Sequence, residues 1–234
     1  MRVDKGPKPL AGAAGELVTE GLDGLRERLA EYREIGARFA KWRGVITVGP
    51  DIPSPACLDA NAHALARYAA LSQEAGIVPI VEPEVLMDNS LGGAIGDHTI
   101  ERCYEVTRDT LREVFGALSD QHVYLGGMLL KPNMVLSGSK APNRAGPEEV
   151  ARNTVTCFQQ TIPAAVPGIV FLSGGQTSAQ ATANLSAMNA MTVVHPWQIS
   201  YSYGRALQDE ALKAWKGQQQ NVGAGQKAFF NRSK

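Results

Sequence analysis

This 234-residue chain predicts an α/β fold on a parallel sheet, of the TIM (β/α)8 barrel kind but incomplete, and two observations carry that prediction. Short β-rich runs alternate six times with longer amphipathic runs, and such alternation implies a parallel sheet. Polar residues close nearly every β-rich run, which is where barrels build active sites. An open doubly wound sheet is the competing arrangement. A dinucleotide-binding version would carry a GxGxxG turn after an early strand and an acid about 20 residues later, a pattern that does not occur here. About six of the eight β/α units of a full barrel can be read.

In chain order, residues 1–5 read as the end of a strand that stops at Gly6, and residues 15–42 as a helical stretch. Strands are then expected at 44–48, 77–82, 123–131, 169–173 and 198–203, each closed by glycine, proline or charge. Helices are expected between them at 58–74, 100–118, 147–160 and 178–188, and from residue 206 onward. Two starts are well marked: Pro147-Glu148-Glu149 places acids in a first turn, and Thr177-Ser178 precedes an alanine-rich run. Residues 1–215 form the expected partial barrel domain, and 216–234 the end of the last helix with a mobile, polar C-terminal tail.

Composition excludes several function classes. With 44% hydrophobic residues the chain can bury a substantial core, and 23 basic residues balance 23 acidic ones. No overall field steers it to nucleic acid or an anionic membrane, so any anion site is built locally. No apolar stretch approaches a membrane span. Cys57, Cys103 and Cys157 are widely spaced without a CxxC, which fits a reducing, cytoplasmic setting. The four histidines are scattered, with no HExxH, so no metal is expected. No GxSxG elbow marks a serine hydrolase.

The chemistry gathers at strand ends. Lys131 stands in MLLKPN, where an apolar run stops at Pro132. Burying a cation there disfavours the ammonium and frees the amine as a nucleophile for a carbonyl. A stem packed on apolar neighbours with its head in water is the inert reading of the same residue. Glu82 and Glu84 of IVPIVEPEVL lie two apart, on one side of an extended segment, where paired carboxylates can divide acid and base roles. Lys41 and Arg43 of FAKWRG are likewise two apart and suit a phosphate or carboxylate, or else form the basic end of a helix. FLSGGQ and YSYGRA close the last two strands, where barrels frequently form a phosphate site. Their glycines admit backbone N–H groups to an anion, and Arg205 adds charge. LSGGQ also occurs in ABC-type ATPases, but the P-loop it works against is absent.

Taken in order, VDKG, AKWR, IVPIVEPEVL, LLKPNMV, FLSGGQ and SYGRAL resemble the class I fructose-bisphosphate aldolases over essentially the whole chain. The resemblance implies a lyase of glycolysis and gluconeogenesis that reversibly cleaves fructose 1,6-bisphosphate to dihydroxyacetone phosphate and glyceraldehyde 3-phosphate. It needs no cofactor, only a covalent imine at Lys131. Glu82 is similar to the family's proton shuttle and Glu84 to its partner beside the lysine. Lys41 and Arg43 correspond to cations near the intermediate and the distal phosphate. Ser173 and Gly174, with Gly204 and Arg205, resemble the site for the phosphate next to the ketone. Arg2 stands where the family commonly has lysine. The partners implied are sugar phosphates and other subunits of a homotetramer, with no nucleic acid and no membrane. The match begins within the family's third strand, so two strands and the aspartate base on the first lie outside it. A chain that binds sugar phosphate or assembles without turnover is therefore the second reading.

Overall fold

In the computed structural model, which describes residues 1–88, 96–193 and 195–234, an antiparallel hairpin comes first: β1 (Gly6–Pro9) and β2 (Leu17–Glu20). Helix α1 (Leu25–Glu34) leads into β3 (Phe39–Ile46), α2 (Pro55–Glu74) and β4 (Val78–Val85). Next come α3 (Ile100–Asp120), β5 (Leu129–Leu130), α4 (Pro147–Thr161), β6 (Gly168–Phe171), α5 (Ser178–Ala190) and β7 (Gln198–Tyr201). Helices α6 (Arg205–Trp215) and α7 (Val222–Ser233) close the chain. Strands β3 to β7 form one sheet, every pair parallel and ordered as in the sequence, which is the staircase of a (β/α) barrel. Among the described residues its edges do not meet, so the barrel is partial.

Local chemistry explains the helix starts. Ser54 and Thr99 cap α2 and α3 by accepting backbone N–H bonds from Cys57 and Arg102. Thr177 and Gln180 form a capping box at α5, and Pro147 with two acids opens α4. The helices bury one face against the sheet: Trp42 from β3 stacks on Tyr68 from α2, and Phe158 from α4 on Phe171 from β6. The Tyr68 hydroxyl sits between β3 and β4, donating to the Ala40 carbonyl at 2.7 Å and accepting from Ile80 N–H at 3.1 Å. That peg fixes the relative height of two strands just before their charged residues begin. Among the described residues no helix is long and apolar enough to cross a membrane.

Four expectations need correction. The helix expected over 15–42 is three elements, because Gly21, Gly24 and Gly36 all take positive φ and interrupt it, and the chain re-emerges from Gly36 as β3. Lys41 and Arg43 are thus strand residues, not the basic end of a helix. The strand expected over 123–131 narrows to β5, preceded by a 3-10 turn at Leu125–Gly127. Residues 1–5 contribute one parallel bridge, Arg2 to Lys41, rather than a full strand. The stretch read as a mobile polar tail contains α7, held by Arg232, which donates to the Ala206 and Ser178 carbonyls at 2.8 and 3.1 Å.

Candidate active site

Alternation along β3 and β4 sets the site. Trp42 points into the helix layer, so Lys41 and Arg43 project from the opposite face; Glu82 and Glu84 alternate likewise with Val81 and Val85. Both glutamates are buried, at 4% and 7% exposure, where an unpaired carboxylate would be costly. Each has a cationic partner. Glu82 bridges two lysines, with Oε2 2.5 Å from Lys41 Nζ and Oε1 3.2 Å from Lys131 Nζ. Arg43 Nε donates to Glu84 Oε2.

Lys131 comes directly after β5, and its backbone is pinned on both sides. Its N–H donates to the Val81 carbonyl at 2.7 Å, while the Pro132 carbonyl accepts from Leu172 N–H at 3.2 Å. Asn133 completes the anchorage, accepting from Val85 N–H at 3.0 Å and donating to Thr107 at 3.1 Å. The amine therefore emerges from fixed backbone, with a side chain 12% exposed. Its geometry is that of an amine able to pass a proton to a carboxylate already neutralised by a second lysine.

Burial pushes the Glu84 carboxyl above its ordinary value of 4.5, against the pull of Arg43. The unfolded chain gives up this proton first as pH rises. The stability Glu84 contributes is hence fully present below pH 4.5 and is lost as pH climbs through the raised folded value. Glu84→Gln does not titrate, so the urea midpoint of the wild type relative to this variant should fall as pH rises above about 4.5. A difference independent of pH would contradict the shift.

The FLSGGQ loop approaches the same carboxylate. A Cβ on Gly174 would stand 2.7 Å from Glu84 Oε1, and one on Gly175, at φ +72°, would run into Met87 Cβ. These glycines let the loop after β6 pack against the end of β4 where any side chain would collide. Arg205, the first residue of α6 after Gly204, lines a separate cavity of about 320 Å³ with Arg144, Gly175 and Gln176. Among the described residues, Ser173 and Arg205 make no hydrogen bond or ion pair to Lys131, Glu82 or Glu84. Arg2 is paired with Asp4 at 2.8 Å and lies within electrostatic reach of Glu82. No group of three His, Cys, Asp or Glu side chains able to hold a metal gathers among the described residues.

Two residues at the site with buried side chains are not singled out by sequence reasoning. Asp4 and Asn133 lie inside the motifs VDKG and LLKPN. For Asp4 the available signal was an acid two residues from Arg2 in an extended segment.

Comparison with known proteins identifies the family. The family model for fructose-bisphosphate aldolase class I matches residues 1–234. A probable fructose-bisphosphate aldolase class 1 of Xanthomonas campestris pv. campestris is 58% identical over the whole of this chain, which covers 68% of that protein. Fructose-bisphosphate aldolase C of Rattus norvegicus is 52% identical, again over the whole chain and 62% of the relative. Among solved structures, fructose-bisphosphate aldolase from Plasmodium falciparum, in complex with TRAP and a small-molecule inhibitor, superposes with a TM-score of 0.93 at 43% identity. That match covers 99% of this chain and 65% of the other. The chain thus spans roughly two thirds of the proteins it matches, and by fold and sequence it belongs to the class I fructose-bisphosphate aldolase family.

Proposed function

We propose that this chain carries the imine-forming half of an aldolase site, with Lys131 as nucleophile. The observation that supports it best is the Glu82 carboxylate on β4, shared between Lys41 of β3 and Lys131 just after β5, the two strands that flank β4. Lys131 Nζ attacks the ketone carbon of dihydroxyacetone phosphate or of fructose 1,6-bisphosphate, forming a C–N bond while the carbonyl oxygen takes a proton. Glu82 delivers the proton that lets this hydroxyl leave as water, giving the protonated imine. Lys41 keeps Glu82 charge-balanced throughout, and Glu84 is held beside it by Arg43. The iminium withdraws electrons from the neighbouring C–C bond, replacing the Lewis acid that a metal would supply. Breaking that bond in the ketose also needs a base for the C4 hydroxyl proton; the reversible cleavage to dihydroxyacetone phosphate and glyceraldehyde 3-phosphate is thus a property proposed for the protein as a whole.

Phosphate recognition divides between the two ends of the site. Arg43 with Arg2 suits the phosphate remote from the ketone, and Ser173, Gly174, Gly204 and Arg205 suit the near one. Assembly as a homotetramer and a cytoplasmic setting belong to the same proposal.

Treating the full chain with dihydroxyacetone phosphate and borohydride, then weighing the intact protein, tests the reading. One reduced adduct per chain is expected, undiminished by EDTA; no adduct, or one that EDTA prevents, would overturn it. Cleavage of fructose 1,6-bisphosphate assayed alongside separates a chain that only captures from one that turns over.

A further inference from the structure

The strand that carries Arg43 stays paired with β4 but loses, at that residue, the backbone partner on its other edge. Upstream, the parallel bridge is intact: Lys41 N–H donates to the Met1 carbonyl at 2.7 Å, and Val3 N–H donates to the Lys41 carbonyl at 3.1 Å. Continuing the ladder would place Arg43 N–H on the Val3 carbonyl and Lys5 N–H on the Arg43 carbonyl. Neither bond forms. The Val3 carbonyl accepts from Arg28 at 3.3 Å, and Lys5 N–H turns away to the Glu20 carbonyl at 2.8 Å as the hairpin begins.

Two side chains take the vacated places. Asp4 Oδ2 accepts from Arg43 N–H at 3.4 Å, and Thr19 Oγ1 donates to the Arg43 carbonyl at 2.6 Å. Both are themselves braced. Asp4 Oδ1 accepts from Arg2 Nε at 2.8 Å and Gly6 N–H at 3.1 Å, with its side chain 1% exposed. Thr19 is 3% exposed, and its N–H donates to Asn61 Oδ1 of α2 at 3.3 Å. The hairpin is thus clamped to the backbone of the residue whose guanidinium grips Glu84, and Asp4 holds a second guanidinium, that of Arg2, at the same place.

We propose that Asp4 and Thr19 are positioning residues that set Arg43 by standing in for missing strand hydrogen bonds, and that they thereby tune affinity for ligands bearing a second phosphate. The second half rests on the reading of Arg43 under the proposed function. The first half does not.

Two measurements on the full chain separate them. The first is hydrogen exchange at the Arg43 Nε–H, followed by NMR without ligand. The second is the half-saturation concentration for borohydride capture of fructose 1,6-bisphosphate relative to that for dihydroxyacetone phosphate. Thr19→Val removes the hydroxyl at nearly constant volume and should speed Arg43 exchange about fivefold and raise the capture ratio by a similar factor; Thr19→Ser should restore both. Unchanged exchange in Thr19→Val, or failure of Thr19→Ser to rescue, overturns the positioning role. Altered exchange with an unchanged ratio overturns the link to the second phosphate. If neither ligand is captured even by the wild type, the imine reading fails while the exchange result still decides the positioning role. Should Thr19→Val not fold, Asp4→Asn reads the same quantities, because its amide keeps one acceptor oxygen where Asp4 has two, so the set of Arg43 N–H, Arg2 and Gly6 N–H can no longer all be satisfied.

Discussion

Lys131→Arg is expected to abolish covalent capture of dihydroxyacetone phosphate while leaving the fold nearly as stable as the wild type. Arginine keeps a cation beside Glu82, so the buried carboxylate retains two positive partners, and a delocalised guanidinium does not form an imine with a ketone. Intact mass after borohydride should show less than about 1% of the wild-type adduct, since no other step replaces the nucleophile. The urea midpoint should stay within about 1 kcal/mol of the wild type once converted to free energy. Replacement by methionine removes the charge as well as the nucleophile. Comparing the two variants therefore separates loss of chemistry from loss of the ion pair.

Glu82→Gln is expected to slow capture about 10²–10⁴-fold without lowering its final extent, the range typical of a positioned acid or base. The amide fills the same space but moves no proton, so carbinolamine dehydration proceeds through water alone. Time courses of borohydride trapping measure this, and an unchanged rate would remove Glu82 from the mechanism. The substitution also leaves Lys41 and Lys131 without their shared counter-charge. Breaking a largely buried pair is costly, so the variant should be destabilised by about 2 kcal/mol or more. The rate is best compared well below the denaturation midpoint, where both proteins are folded.

Much of the site was legible because its residues obey a two-residue alternation. Lys41 and Arg43, or Glu82 and Glu84, fall on one face in any extended segment, and Lys131 is marked by the proline that ends its run. The same alternation is masked in β3 by the amphipathic, charge-rich stretch before it, which carries a helical pattern through Gly36 into Trp42. Gly21, Gly24 and Gly36 are the signal that breaks that pattern. β5 is only two residues long because Pro132 has no N–H to give the ladder, and side-chain and loop contacts through Asn133 replace it. α7 is hidden by polar composition, and tertiary contacts order it: Gly225 packs closely on Trp215 of α6, and Arg232 bonds to Ala206, Ser178 and Thr182.

Least legible were Asp4 and Thr19. Their bonds to Arg43 span 39 and 24 residues and reach its backbone rather than its side chain. No pattern of residue types encodes such a contact. It arises where the chain leaves the sheet edge for a hairpin, and that departure is visible only in three dimensions.

Two lysines share one carboxylate, and the proposed chemistry stands or falls on which of them is the nucleophile. Lys41 holds Glu82 at 2.5 Å and Lys131 at 3.2 Å, and Lys131 is the more buried, at 12% against 22% side-chain exposure. Peptide mapping by mass spectrometry of the chain reduced with borohydride in the presence of dihydroxyacetone phosphate distinguishes them. A single modified lysine, Lys131, is the expected result; an adduct on Lys41, or one spread over surface lysines, would contradict it.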